Sequence, residues 1–273
     1  MKLESNHQKK SDARSFEYYE YKYLVDDINL NSVLEYLRSS SYNIDPYPEG
    51  WVSSLYYDSF DQKAFYECED GDNLKRKFRI RFYSDTDFSN GGEIQVKEKQ
   101  LSAVYKYKSK FKPQEVSDVL SLPWPGRHPA KQSFASDVDK KKVGTVQSTS
   151  SASEDAEDFC SNYIESMPIR SLAANYLQLE PLILVKYYRY RFRVFDVRIT
   201  LDTQISFEPG SSLRGTRRNF GRVPFSILEV KTESERPFLP TNKLIDLPQL
   251  SFSKFYSGVQ YLKGEDEFFN KYL

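Results

Sequence analysis

The 273-residue chain balances 39 Lys and Arg against 39 Asp and Glu, so its formal net charge is zero and a diffuse basic surface for nucleic acid is not indicated. It holds only two cysteines, Cys68 and Cys160, and two histidines, His7 and His128, both in stretches that read as disordered. A disulfide scaffold, a Cys- or His-based metal site, a phosphohistidine and a Ser-His pair are therefore disfavoured, and a reducing, cytoplasmic setting is expected.

Residues 1–14 are polar, read as a flexible N-terminus, and lack the apolar core of a signal peptide. Alternation predicts a first strand over 16–25. Asn29 or Asn31 is expected to cap a helix running through SVLEYLRSS. A second strand follows at 51–59 and a short helix over FDQKAFYEC, then strands at 74–84, 92–99 and 103–111. PQEVSDVLS begins with Pro, as a helix can. From about 126 to 158 the chain is Ser, Thr and charge, too poor in apolar residues to order itself, and is expected to be a disordered insert in a single domain spanning 15–273. After helical stretches to about 178, strands resume at 181–195, 197–207 and 224–232, and the chain closes on a helix beginning near FSKFYSGVQYL. No apolar run is of membrane-spanning length. The pattern predicts an α+β fold: an antiparallel β-barrel of about eight strands forming a basic tunnel, helices packed outside and a C-terminal helix.

Several strands carry cations on one face. Lys77, Arg79 and Arg81 share a face, as do Arg189, Arg191 and Arg193 with Tyr187 beside them; Lys97 and Lys99 follow Glu93 and Gln95, and Lys106 aligns with Lys108. The first strand adds Glu20 and Lys22, and later strands add Arg198 and then Glu229 with Lys231. Opposite faces are often apolar, as at Phe78, Ile80 and Phe82. Like charges two residues apart on a strand repel by roughly 2 kcal/mol at an effective dielectric near 20. A wet face is the ordinary explanation for one such strand. Over several strands, an inward-facing set that grips a polyanion explains the bias better, because Arg pairs bidentately with phosphate and Lys adds a mobile charge. The carboxylates Glu20, Glu93 and Glu229 could hold a divalent metal through oxygen ligands. RKFRIRFY followed by EIQVKEK echoes YRYRFRV followed by ILEVKTE, which suggests two facing cationic walls.

The ordered segments YEYKYLV, SLYYDS, KFRIRFY, IQVKEK with VYKYK, VKYYRYRF, VRITLD, ILEVK and SFSKFYSG resemble the vacuolar transporter chaperone (VTC) domain, the polyphosphate-polymerase branch of the triphosphate tunnel metalloenzymes. The resemblance runs from about residue 16 to 262, apart from the insert. It implies a barrel around a basic tunnel, and transfer of the γ-phosphate of ATP to a growing polyphosphate with Mn2+ or Mg2+. It implies that Lys22, Arg79, Arg81, Lys97, Lys106, Arg189, Arg198 and Lys231 grip phosphates and that Tyr187 and Ser253 add hydrogen bonds. Lys254 would close over a phosphate, Glu229 would bind metal, and Glu20 would be a second metal or Lys-orienting carboxylate.

Two departures from that pattern stand out. Tyr18 fills the first slot of the Glu-x-Glu-x-Lys of tunnel hydrolases, and Gln95 stands where related polymerases often have Glu, with Glu93 available on the same face to compensate. The sequence carries no inositol-phosphate-sensing or membrane domain, so coupling of synthesis to export would need a membrane partner protein. Other readings are a tripolyphosphatase or nucleoside triphosphatase on the same scaffold and a non-catalytic polyphosphate-binding module. Single-stranded nucleic acid is disfavoured because the aromatics alternate away from the cations. The phosphate-loop and dinucleotide fingerprints are absent. Arg214, Arg217, Arg218 and Arg222 read as an exposed basic loop.

Overall fold

The structure is a computed structural model and describes residues 19–41, 45–101, 103–115, 179–194, 197–211, 221–233 and 246–264. The expected insert, most of PQEVSDVLS, the helical stretches before 178, Tyr18, both histidines and Cys160 lie outside the described residues.

The chain runs β1 (Tyr19–Val25), α1 (Asp27–Ser40), β2 (Glu49–Ser59), α2 (Lys63–Glu69), β3 (Leu74–Phe82), β4 (Gly92–Gln100), β5 (Ala103–Phe111), a 3-10 turn (Pro113–Glu115), β6 (Leu179–Val194), β7 (Val197–Pro209), β8 (Gly221–Arg222), β9 (Ser226–Thr232) and α3 (Lys254–Leu262). Eight strands form one antiparallel sheet in the order β1-β9-β7-β6-β2-β3-β4-β5, and β8 adds to β7. The ladder does not close. Among the described residues β1 and β5 do not pair, so the sheet stays open along that seam, but its eight antiparallel strands with few helices are close to the expected barrel. Closure needs a particular stagger along every strand pair, and strand patterning alone does not encode it. The free edge of β1 is instead covered by residues 248–250, through Leu24 N–H to Pro248 O at 2.8 Å and Leu250 N–H to Lys22 O at 2.9 Å.

The two faces of the sheet differ. On one, Tyr23, Val25, Phe192, Ile199, Leu201, Leu228 and Val230 bury against Val33, Leu34 and Leu37 of α1. That helix starts at Asp26, not at Asn29 or Asn31: the Asp26 carboxylate accepts from Asn29 N–H at 2.7 Å. The other face is polar along most of its length and apolar at one end, where α3 packs. A bulge in β7 at Gln204, with φ of 52°, shifts the alternation by one residue. Arg198, Thr200 and Asp202 are therefore followed on their own face by Ile205 and Phe207. Phe255, Gly258 and Val259 of α3 settle on that apolar end, with Phe255 5.3 Å from the Tyr56 ring. α2 supports α3 through Phe65, which stacks on Tyr256 at 5.2 Å, and is itself anchored by Asp58, whose carboxylate accepts from Ala64 and Phe65 N–H at 2.9 Å each.

The two Arg-x-Arg strands, β3 and β6, do not face each other as opposed walls. They flank β2 as its two neighbours in the sheet. None of the helices in the described residues is long and apolar enough to cross a membrane.

Candidate functional site

Register brings the charged positions together. Lys22 of β1 lies opposite Glu229 of β9, and Glu20 opposite Lys231. Lys231 lies opposite Arg198 of β7, and Arg189 of β6 opposite Asp202. Arg79 lies opposite both Tyr56 and Gln95, and Lys97 opposite Lys106. All belong to the face that α3 caps. Of the predicted residues, Lys22, Arg79, Arg81, Lys97, Lys106, Tyr187, Arg189, Glu229, Lys231, Ser253 and Lys254 share this interior with Glu20. Arg198 belongs to the same row by register, but its side chain is exposed. Of the basic loop, Arg222 is exposed and the others lie outside the described residues.

The interior divides by its counter-charges. Around β1, β9, β7 and α3 the cations meet carboxylates. Glu20 lies 3.1 Å from Lys22 and 3.5 Å from both Lys97 and Lys231, while Lys231 is 2.8 Å from Glu229. The Glu20–Lys97 contact joins β1 to β4 across the seam that the backbone leaves open. Asp202, fully buried, receives Arg189 through two hydrogen bonds of 2.5 and 2.7 Å and Lys254 at 2.6 Å. Around β3, β4 and β5, apart from Lys97 at the seam, the partners of Lys77, Arg79 and Arg81 are neutral. Arg79 donates to Gln95 Oε1 at 3.0 and 2.8 Å and to the Tyr56 hydroxyl at 2.9 Å. Arg81 donates to Ser54 Oγ at 3.3 Å and to the Tyr187 hydroxyl at 3.1 Å. Lys77 donates to Ser253 Oγ at 2.8 Å.

These surroundings set the protonation states. Burial and Glu229 push the Glu20 carboxyl up, but Lys97, Lys22 and Lys231 prevail and hold it well below the usual range. Burial likewise raises Glu229, and Lys231, Arg189, Lys22 and Lys254 overcome it. Burial raises Asp202, which Arg189 and Lys254 then lower. All three are anions at neutral pH. For Lys106 the balance runs the other way: burial first, then Arg79, Arg81, Lys108 and Lys231, depress its ammonium to about 5. Burial also lowers Lys97, to about 8, against the pull of Glu20. Burial raises the Tyr56 phenol, but Arg79 and Arg81 bring it down to about 8.

Ser253 is the N-cap of α3, accepting from Tyr256 N–H at 3.3 Å while it receives Lys77. Lys254 follows it into the interior, 4.9 Å above the Tyr187 ring, beside Arg189 at 5.0 Å from the same ring. A cavity of about 1110 Å³ opens beside β1, lined by Glu20, Lys22, Lys77, Lys97 and Ser253 among others.

The donor set permits a particular kind of metal. Among the described residues no three His, Cys, Asp or Glu side chains gather to ligate an ion. Glu93 forms no such group with Glu20 and Glu229; its carboxylate accepts from the Gln95 amide and from Tyr83. The Thr200 hydroxyl, buried opposite Glu229, has no hydrogen-bond partner. Two ionised carboxylates beside an unsatisfied hydroxyl suit a hard divalent ion of the magnesium or manganese type, which takes one or two carboxylates and completes its shell with phosphate and water.

Asp202, Tyr56 and Thr200 escape a reading that sorts strands by their cations. Each was available from alternation: Asp202 and Thr200 share a parity with Arg198, and Tyr56 with Ser54. The pairing of Asp202 with Lys254 joins residues from β7 and α3, and only the fold reveals it.

The cations thus converge on one face of an open antiparallel sheet, capped by a helix that contributes two more polar groups, Ser253 and Lys254. The VTC domain model matches residues 17–263, and the chain belongs to the VTC domain family. No curated protein matches the sequence. Among solved structures, a Bacillus halodurans protein named for adenylate cyclase is 12% identical, with 81% of this chain and 84% of that one covered and a TM-score of 0.42. A Hippeastrum protein also named for adenylyl cyclase, and described as having a dominant triphosphatase activity, is 16% identical, with 89% and 95% covered and a TM-score of 0.48.

Proposed function

We propose that the protein is a polyphosphate polymerase that transfers the γ-phosphate of ATP to a growing polyphosphate chain with a divalent metal, Mn2+ or Mg2+. The observation that carries this reading is the convergence of Lys22, Arg79, Arg81, Lys97, Arg189, Lys231 and Lys254 on one enclosed face with three ionised carboxylates. Membership of the VTC family agrees with it.

In this reading Arg79, Arg81 and Arg189 hold the transferring phosphoryl group and offset the charge that develops on its oxygens. Lys22, Lys97 and Lys231 hold the flanking phosphates, with Lys106 and Arg198 along the chain's path and Lys254 closing from α3. Tyr187 and Ser253 exchange their present arginine and lysine partners in part for phosphate oxygens. Glu229, with Glu20 beside it, would hold the metal, which when bound withdraws charge from phosphate oxygens. The terminal phosphate of the acceptor is already ionised. Its oxygen attacks the γ-phosphorus, the bond to the β-phosphate oxygen breaks, and ADP leaves. No protein base is required, which suits a site whose described residues include no histidine. The cytoplasmic setting and a membrane partner for export belong to the same proposal.

Incubating the purified protein with ATP and Mn2+ and sizing the product on a gel tests it. Long polymer with ADP is expected; orthophosphate without polymer assigns the triphosphatase reading. Glu229→Gln is expected to abolish turnover and to leave polyphosphate binding largely intact. A binding module would show no turnover to lose.

A further inference from the structure

The unequal distribution of carboxylates within the interior implies a division of labour. On the β1–β9–β7 side, Lys22, Lys231, Lys254 and Arg189 of the adjoining β6 share Glu20, Glu229 and Asp202, and Lys97 of β4 reaches across the seam to the same Glu20. On the β3–β4–β5 side, none of Lys77, Arg79, Arg81 and Lys106 has a carboxylate partner within 4.0 Å among the described residues. One carboxylate, Glu93, does lie on that side, directly opposite Arg81 in the β3–β4 register. Gln95 stands between it and Arg79. Its amide nitrogen donates to Glu93, and its oxygen accepts two hydrogen bonds from Arg79. Gln95 is fully buried, at 1% exposure, with both ends of its amide used.

An amide in that place does something a carboxylate cannot. It fixes the guanidinium and satisfies two of its donors, yet leaves its full charge facing the interior. Arg189 is the contrasting case, held equally firmly but neutralised by Asp202.

We propose that Gln95 is a specificity-determining residue: a neutral brace for Arg79 that keeps the β3–β4–β5 wall cationic, so that this wall binds bare polyphosphate without metal up to the transferring phosphoryl group, which Arg79 and Arg81 meet from one side and Arg189 from the other, while the carboxylate-bearing wall takes the metal-loaded remainder of the triphosphate. This rests on the phosphate-transfer reading of the site and adds to it which wall holds which ligand. Because the wall carries surplus positive charge in the empty protein, its ligand must bring several negative charges at the spacing of linked phosphates, and a metal counter-ion would weaken the attraction.

Isothermal titration of tripolyphosphate, first in EDTA and then in Mn2+, tests the assignment without any turnover. The wild-type protein is expected to bind in EDTA; strict dependence on metal overturns the proposal. Gln95→Glu places a carboxylate against Arg79 and is expected to weaken binding in EDTA at least tenfold, and in Mn2+ by less than a third of that factor. Equal losses in the two conditions, or a loss under threefold in EDTA, overturn it. Gln95→Met drops the hydrogen bonds and keeps the wall's charge. It is expected to lose at least threefold less than Gln95→Glu in EDTA, and a loss as large as that of Gln95→Glu makes the effect one of hydrogen bonding and overturns the charge assignment. Failure of these titrations is separable from failure of the polymerase reading, which shows as absence of polymer from ATP.

Discussion

Asp202 holds two predicted phosphate-binding cations, Arg189 and Lys254, from different elements. Asp202→Asn keeps the shape and removes the charge. Breaking a buried ion pair from one side costs about 3–5 kcal/mol, so urea unfolding of the variant should show a loss on that order, together with a fall in turnover as α3 loses its tether. Lys106 offers a different readout. It is largely neutral at pH 7 because burial, Arg79, Arg81, Lys108 and Lys231 disfavour its charge, and an arriving polyanion reverses that balance. Binding should therefore take up protons, measured by titration calorimetry in buffers of different ionisation enthalpy, and Lys106→Met should reduce the uptake. Such residues show where sequence reasoning stops. The cations of β3 and β6 are legible as a two-residue period, but a neutral lysine and a shared aspartate are products of enclosure, which the period does not report.

The described elements were legible to within a few residues because apolar and polar positions alternate cleanly, as in KFRIRF and EIQVK. Features set by long-range geometry were not. Asp26 wins the cap of α1 over Asn29 because the chain turns there, and the bulge at Gln204 lets β7 bury Asp202 and Phe207 on one face. The seating of α3 depends on Gly258. A methyl group there would collide with the Ile183 side chain and lie 2.7 Å from the Phe207 ring. Gly258→Val should lift the helix from β6 and β7 and draw Lys254 away from Asp202. Thermal unfolding is expected to drop by several degrees and turnover to fall further than in a Lys254→Met variant of intact packing, since Ser253 and its Lys77 contact move too.

Across the whole molecule, the interior is a set of ions taken out of water and held by mutual contact. Glu20, Glu229 and Asp202 all titrate below their ordinary values. A lowered carboxyl contributes stability that is complete above its unfolded value and is lost as pH falls toward the folded one. For Glu20 that window runs from 4.5 down to about 2. The urea midpoint should hold near pH 6 and fall below pH 4.5, less steeply in Glu20→Gln. The surplus cations act in the other direction, because their repulsion is relieved by any bound polyanion. At a hundredfold excess over its dissociation constant, a ligand confined to the folded state adds about 2.7 kcal/mol, so tripolyphosphate should raise the melting temperature measurably and salt should erode the gain.

Residues 248–250 lie along the exposed side of β1 and run within a few residues into Ser253 and Lys254. One short stretch thus does two jobs, shielding unpaired backbone from other molecules and delivering chemical groups to the interior. A protein cut before Pro248 would be both catalytically deficient and adhesive, because the strand left uncovered is a ready template for a neighbouring chain. Loss of activity and a tendency to self-associate should appear together in such a truncation, and a synthetic peptide carrying this segment should suppress both.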